Sequence, residues 1–474
     1  MTARFTASEV VLAAGAELLV RGRRDVFAGV STDSRTIAPG SLFVALKGER
    51  FDAHDFLVEA AAKGAAGAVV RRGTALPPPG SARGFALFEV DDTLAALGAL
   101  ARLHRERFAI PLGAVAGSNG KTTTKEMAAA ILLTGGETLA TEGNLNNEVG
   151  VPLTLLRLEP THRAAVVEVG MSSPGELARL TAMARPTAGL VTLVAEEHLA
   201  FLKDLDGVAE AEGELYRGLP EEATTVVNAD DPRCVAQAAR SPARRRVTFG
   251  CAAGADVRLV WVVSAGAAGQ RLAIEAGGTV HEAAIAFVGE HNARNATAAF
   301  ALAWAMGFSA EACVAGLSAA RPFAHRSRLL QAGGVAILDD CYNANPSSMA
   351  AALAALGTLA TEGQRVAVLG DMLELGEAEV PEHRSLGRLA AVSADRVAFF
   401  GPRSREAFEA ARRAGLSAEA AAHFEEIASL LSWLFPRLHP GDTLLVKGSR
   451  GMRLERVVDG VIAGPAGPDV RGPA

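Results

Sequence analysis

The sequence predicts a three-domain α/β protein: a small α/β N-terminal domain, a central domain built on a parallel sheet, and a C-terminal doubly wound, Rossmann-like domain. Three observations carry that expectation. At 474 residues the chain is too long for one ordinary core. Between residues 113 and 228 short apolar strands alternate with helical segments, the rhythm of a mostly parallel sheet with helices on both faces. The same alternation then restarts beyond Pro322, after an Ala-rich helix.

The N-terminal domain is expected over 1–107. It holds short strands around Val30 and at 42–46, a helix over 56–63 and a turn-rich LPPPG at 76–80, with a helix over 93–107 leading out. The central domain is expected over 108–321. Its strands fall at 113–116, 138–141, 165–169, 189–194 and 224–228, followed by a β-rich stretch at 246–287 and a helix beginning near His291. The C-terminal domain is expected over 322–474, with strands at 335–338, 365–369, 396–400 and 443–446 between helices. Its Gly/Pro-rich end, 463–474, is expected to be disordered. The basic run 244–246 is expected to be a solvated loop, and no internal repeat is visible.

Composition narrows the function classes. Hydrophobic residues make up 49% and charged residues 21%, a globular balance. A formal net charge of -6 argues against nucleic acid as the main partner. The four cysteines (Cys234, Cys251, Cys313, Cys341) show neither CxxC pairing nor zinc spacing, which fits free thiols in a reducing compartment. The N-terminus lacks a basic segment followed by an apolar run, and the longest weakly apolar stretch, 296–307, is too short to span a bilayer. The expectation is a cytoplasmic chain without membrane insertion, and a monomer, since no coiled-coil heptads occur.

The sharpest single signal is the octapeptide Gly117, Ser118, Asn119, Gly120, Lys121, Thr122, Thr123, Thr124 between an apolar strand and a helix. Glycines let a backbone wrap closely around phosphates, and loop amides with a helix N-terminus supply positive potential. Lys121 is placed to reach terminal phosphates, and the hydroxyl after it to ligate Mg²⁺. The strict Walker spacing needs Gly at 115, where this chain has Val115. The competing reading is a Gly-rich turn that only caps a helix. A nucleotide loop alone leaves kinase, GTPase, transport motor and ligase open.

The segment GSNGKTTTKEM at 117–127 resembles the ATP loop of the Mur ligase family, which also includes folylpolyglutamate synthetase-like enzymes. Eight further segments are similar to that family in its own order: STDSR (31–35), ALKGERFDAHDF (45–56), GNLNNEVGVPLTLL (143–156), VVEVGMSSPGEL (166–177), GEHNARNATAA (289–299), DDCYNANPSSM (339–349), LGDMLELG (369–376) and LVKGSRGM (445–452). The first two look like a uridine-nucleotide-binding domain. A diamino-acid-adding member would carry Asp-Asn-Pro-Arg in the C-terminal domain. Here the nearest match is Asp-Asp-Pro-Arg at 230–233, in the central block. DDCYNANP and GDMLELG instead resemble the member that joins D-alanyl-D-alanine to UDP-N-acetylmuramoyl-tripeptide.

That resemblance implies ATP and Mg²⁺ as cofactors and an acyl-phosphate route to an amide. It implies Lys121 on the β- and γ-phosphates, Thr122 and Glu168 on Mg²⁺, and His198 on a second Mg²⁺ directly or through water. Asn292 and Asn295 would sit near adenine, Arg328 (with Arg326 as the nearby alternative) would grip phosphate, and Asp340 would hold ribose. Lys447 would touch substrate or the acyl phosphate. Ser31, Asp33, Ser34, Arg35 and Gly48 would hold the UDP-sugar, and Asn144 and Asn147 the muramoyl-peptide side. Taken one at a time, a strand-end Glu reads more readily as a surface charge, Asn292 as a helix cap, and polar residues beside glycine as turn formers.

Two positions depart from the family. Many members carry a carbamate-modified lysine where this chain has Glu212, in Ala-Glu-Gly-Glu at 211–214. A carboxylate there is expected either to replace the carbamate's negative head or to be a solvated helix residue. Ala195-Glu196-Glu197 also puts extra negative charge before His198. Two rival functions remain at this level: another ligase of the family adding a single amino acid or glutamates, and a non-catalytic nucleotide-binding protein. The UDP-binding-like N-terminal block argues against the folate enzyme, and Lys121, Thr122, Glu168, His198 and Asp340 together argue against loss of catalysis.

Overall fold

A computed structural model describes residues 3–75, 77–78, 83–196 and 202–464. The expectations for His198, for Glu197, for part of the 76–80 turn and for the tail beyond 464 lie outside the described residues.

Near the N-terminus a five-stranded sheet runs, in spatial order, Glu17–Val20, Ala86–Val90, Gly67–Arg71, Leu42–Val44, Val30–Ser31. Only the first pair is antiparallel. Arg4–Thr6 pairs separately with Val26–Ala28. Helix Thr93–Arg105 starts where Asp92 accepts the amides of Leu94 and Ala95, and it carries the chain into the central sheet. Its buried side, Leu97 and Leu100, joins Phe5, Phe27 and Phe88 on one flank to Leu112, Leu155 and Leu177 on the other, in a single apolar cluster.

The central sheet has nine strands. From Thr138–Ala140 it passes through Ala164–Glu168, Leu112–Ala116, Ala188–Val191, Thr224–Asn228 and Arg245–Gly250 to Val257–Ser264, all parallel. Gln270–Ala276 and Thr279–Ile285 close it as an antiparallel edge. The inner strands are buried on both faces, which is why they read as unbroken Ala/Val runs rather than alternating ones. The basic run is not a free loop: Arg245 opens a strand, Arg244 pairs with Glu221 and Arg246 donates to the Ala238 carbonyl. Its backbone groups find partners in the neighbouring strand, a pairing that charge alone does not announce.

Leu112–Ala116 is the first strand of this sheet in sequence yet lies between Ala164–Glu168 and Ala188–Val191. Connections therefore leave it on both sides, and the crevice beyond its C-terminal end is the switch point where open α/β sheets bind ligands. Helix Lys121–Leu132 starts there and packs with Glu290–Ala305 and Ala310–Ala319 over one face of the sheet.

The C-terminal sheet has six strands in the order Arg328–Ala332, Val335–Asp339, Thr443–Lys447, Arg365–Gly370, Arg396–Phe400, Ala421–Phe424. All neighbours are parallel except the first hairpin. Apolar layers cover both faces, as in a doubly wound domain. Helix Pro346–Thr358 begins with a capping box between Asn345 and Ser348 and with Pro346 in its first turn. No helix among the described residues is long and apolar enough to cross a membrane.

Gly316 ties helix packing to the crevice. A Cβ there would lie 2.3 Å from the Ile131 Cα, backbone that cannot give way. Gly316→Ala is expected to push Ala310–Ala319 off the phosphate-loop helix and cost about 1–3 kcal/mol, read as a lower urea midpoint for the central transition.

Candidate active site

Ala116 ends its strand and the chain turns at Gly117 into helix Lys121–Leu132. Two glycines make the turn possible. Gly117 has φ +118, and a Cβ on it would sit 2.1 Å from the Thr192 Oγ1; Gly120 has φ +80, and its Cβ would meet the Asn295 Oδ1 at 2.3 Å. Both positions require left-handed backbone and close approach together.

The loop is tied on its protein side. The Gly117 N–H donates to the Glu212 Oε2 at 2.7 Å and the Ser118 N–H to the Leu193 carbonyl at 2.9 Å. The Ser118 hydroxyl donates to the Ala195 carbonyl at 3.0 Å and accepts the Ala195 N–H at 2.9 Å. Thr192 donates to the Asn119 carbonyl. The amides of 117 and 118 are thus committed to protein, while those opening the helix have no intrahelical acceptor by construction and face the crevice. An anion placed there meets oriented N–H groups and the positive end of the helix. The Lys121 ammonium donates to the Gly117 carbonyl, folding back across the loop.

A cleft of about 700 Å³ lies over this turn, walled by both large sheets. Ser118, Asn119, Gly120, Lys121, Thr122, Thr123, Glu168, Asn292 and Asn295 line it from the central side, and Asp340 and Lys447 from the C-terminal side. Glu168 ends its strand 2% exposed. Its N–H is held by the Thr141 hydroxyl, and its Oε1 accepts from the Asn146 amide at 2.8 Å. Its Oε2 is buried with no protein hydrogen-bond partner. A buried carboxylate oxygen left over beside a threonine hydroxyl and a phosphate loop is the donor set a hard, oxygen-seeking cation such as Mg²⁺ takes.

At the start of helix Glu290–Ala305, Asn292 is 1% exposed. Its amide donates to the Val288 carbonyl, and its Oδ1 accepts from Asn295 at 3.1 Å. Burial pushes the neighbouring His291 imidazole below its ordinary pKa. Asp340 partly offsets that and Lys447 adds to it, so the ring is neutral at pH 7. Across the cleft, both Asp340 oxygens are engaged: Oδ1 with the Ser327 N–H at 2.8 Å, Oδ2 with the Lys447 ammonium at 2.6 Å. Lys447 also reaches the Asn343 carbonyl at 3.0 Å. It lines the cleft and is held against Asp340.

Arg326, not Arg328, lines the cleft. Arg328 is exposed on its strand, whereas the Arg326 guanidinium lies 4.0 Å over the Tyr342 ring and its Nε is buried without a partner. Glu212 is 2% exposed beneath the loop, so the solvated reading fails for it. Asn147 lines the cleft and caps helix Gly150–Leu155 through the amides of Val149 and Gly150, while Asn144 is exposed away from it. Ser31 ends a strand of the N-terminal sheet, and Asp33, Ser34, Arg35 and Gly48 lie in the loops that follow its strands, all outside the cleft. There the Arg35 side chain and amide hold the Asp33 carboxyl down at about 2, and Ser34 reaches Glu59.

Sequence reasoning passed over Asn146, Ser327, Tyr342, Asn345 and Ser347, all of which line the cleft. Asn345 and Ser347 meet the phosphate loop directly: the Asn119 amide donates to the Ser347 hydroxyl at 2.6 Å, and the Asn345 amide donates to the Asn119 Oδ1 at 2.9 Å. DDCYNANPSSM carried that signal, but nothing local says a side chain at 345 touches one 226 positions earlier.

Comparison with known proteins bears on this arrangement. Three family profiles match in order: "Mur ligase family, catalytic domain" at 26–105, "Mur ligase middle domain" at 115–303 and "Mur ligase, glutamate ligase domain" at 325–450. The chain is 36% identical over 442 residues to a UDP-N-acetylmuramoyl-tripeptide--D-alanyl-D-alanine ligase of Bacillus subtilis, covering 93% of this chain and 94% of the relative. The chain belongs to the Mur ligase family. A Mur ligase structure, MurF from Acinetobacter baumannii, superposes with a TM-score of 0.88 at 32% identity over 97% of this chain and 99% of its own. Another, MurF from Thermotoga maritima in complex with ADP, has a TM-score of 0.80 at 28% identity, covering 91% and 96%.

Loss of a charged hydrogen-bonding group is worth about 1.5–3 kcal/mol. Arg326→Ala is therefore expected to weaken ATP by roughly 10- to 100-fold, with Arg328→Ala within about twofold of wild type, as read by ATP KM.

Proposed function

We propose that this chain catalyses ATP-dependent joining of D-alanyl-D-alanine to UDP-N-acetylmuramoyl-tripeptide, with an acyl phosphate between the two steps. The observation that carries it is the meeting, in one cleft, of a phosphate loop, a buried carboxylate with a spare oxygen and Arg326 from the turn that leads into the C-terminal sheet. It stands together with relatedness along nearly the whole chain to an enzyme of that name.

A carboxylate is too poor an electrophile for an amine to displace its oxygen. In the first step a tripeptide carboxylate oxygen bonds to the γ-phosphorus and the bond to the β-γ bridging oxygen breaks, releasing ADP. In the second the dipeptide amine bonds to the acyl carbon, the carbon–oxygen bond to phosphate breaks, and the amine sheds a proton to solvent. Both steps gather negative charge, so fixed cations and oriented amides stabilise them. Lys121 and the first-turn amides of its helix hold the terminal phosphates, and Arg326 approaches from the other wall. Asn292 and Asn295 flank the base, and Asp340, steadied by Ser327 and Lys447, accepts from the ribose. Glu168 and Thr122 would hold Mg²⁺, which would neutralise charge on the phosphates.

The same reading assigns Ser31 at its strand end and the N-terminal loops bearing Asp33, Ser34, Arg35 and Gly48 to the UDP end, and Asn147 with its neighbour Asn146 to the peptide side. It takes units bounded near 107 and 321, a monomer and a cytoplasmic setting, where such nucleotide-linked precursors are made. Glu212 stands in for a carbamate's negative head, holding the loop through Gly117.

Phosphate release from ATP with UDP-N-acetylmuramoyl-tripeptide is expected to depend on D-alanyl-D-alanine. Release driven instead by a free diamino acid, or no release with any acceptor, refutes the reading. Lys121→Ala should lower turnover by at least about 10²-fold. Glu212→Ala should also lose turnover; wild-type rates would remove Glu212 from the mechanism, and a Glu212→Lys variant should regain activity on adding bicarbonate.

A further inference from the structure

Strand Val335–Asp339 and the residues after it present two faces. Asp340 and Tyr342 look into the nucleotide cleft, while Asp339 and Cys341 alternate to the other side, away from it. There they meet His325. The His325 Nδ1 lies 2.9 Å from the Asp339 Oδ2, the Cys341 Sγ lies 3.0 Å from the Asp339 Oδ1, and Sγ and Nδ1 are 3.7 Å apart. Among the described residues, this is the one group of three His, Cys, Asp or Glu side chains whose ligand atoms all lie within 4.8 Å of one another.

We propose that His325, Asp339 and Cys341 bind one thiophilic divalent cation of the zinc class, on the side of the strand opposite the nucleotide cleft. The donor set is the first reason. Imidazole, thiolate and carboxylate together select zinc-class ions over Mg²⁺, which prefers the all-oxygen set at Glu168 and Thr122. Geometry is the second. Bonds of about 2.0 Å to nitrogen or oxygen and 2.3 Å to sulfur put tetrahedral ligands about 3.3–3.6 Å apart. The 3.7 Å between Sγ and Nδ1 lies just above that range and the contacts to Asp339, one at each carboxylate oxygen, just below it, so a small outward swing of the His325 ring, whose side chain is 31% exposed, admits the ion. Asp339 and Cys341 are rigid by comparison, 2% and 1% exposed.

A further carboxylate approaches. Glu455 has an Oε2 that is buried with no hydrogen-bond partner, and its charge acts on Cys341. It is the candidate for the fourth position, with water as the alternative. Without a metal, burial and Asp339 hold the Cys341 thiol well above its ordinary pKa, so the cluster does not present a reactive thiolate. On metal uptake the Sγ–H bond breaks, the proton leaves to solvent and the Sγ–metal bond forms. The ion would pin the backbone at 325, immediately before Arg326 and Ser327, both of which line the cleft.

The test uses the full chain, reduced and chelator-treated, titrated with Co²⁺ in excess Mg²⁺. One equivalent is expected to give a near-ultraviolet sulfur-to-cobalt charge-transfer band that one equivalent of Zn²⁺ abolishes. The band should vanish in Cys341→Ser, persist in Cys251→Ser, and Zn²⁺ affinity should fall at least about tenfold in His325→Ala. No band at one equivalent, or a band that survives Cys341→Ser, overturns the proposal. Should Cys341→Ser fail to fold by circular dichroism, the half-exposed His325→Ala decides it, unchanged Zn²⁺ affinity counting against the site.

Discussion

The tying of one short turn at a strand end governs everything built around it. Gly117 and Ser118 spend their amides on Glu212 and Leu193, and the Ser118 hydroxyl clasps Ala195 in both directions. A turn fixed from behind does not need a ligand to set its shape. The first-turn amides of Lys121–Leu132 are already aimed when phosphate arrives, so little reorganisation is charged to the reaction. The close approaches at Gly117 and Gly120 explain why the neighbours of the loop, Thr192 and Asn295, are as constrained as the loop itself.

That turn is also where the two large sheets meet. Asn119 exchanges hydrogen bonds with Asn345 and Ser347 at the start of helix Pro346–Thr358, so the loop and the C-terminal wall are in register before any substrate binds. The C-terminal wall is braced in turn. Asp340 is gripped at one oxygen by Ser327 and at the other by Lys447, which holds its carboxylate in place at the cleft. A nucleotide bridging the two walls would hold them together in proportion to its differing affinity for the joined and parted arrangements.

Much of the fold was legible because its inner strands are buried on both faces and therefore spell unbroken apolar runs. The strand Thr224–Asn228 and the strand Arg396–Phe400 fall where the sequence placed them. The N-terminal block was read less completely. Its strands Gly67–Arg71 and Ala86–Val90 are as long and as buried as those of the central sheet, but the charged Arg71 and Glu89 break their apolar runs when read along the chain. The arginines at 244–246 are exposed as their charge suggests, yet Arg245 and Arg246 belong to a strand because a parallel neighbour pairs with their backbone.

The sequence by itself determined the glycine turn between strand and helix, the place of Glu168 at its strand end and the alternation that makes two layered α/β units, because each placement follows from residue type and spacing within a few positions; the roles of that turn and of Glu168 rest on the family resemblance as well. Tertiary structure decided which arginine enters the cleft, that Lys447 steadies Asp340, that Glu212 lies buried under the loop, and that Asn345 touches Asn119. These depend on which face of an element meets another element distant in sequence, and a single chain read linearly carries no term for that distance.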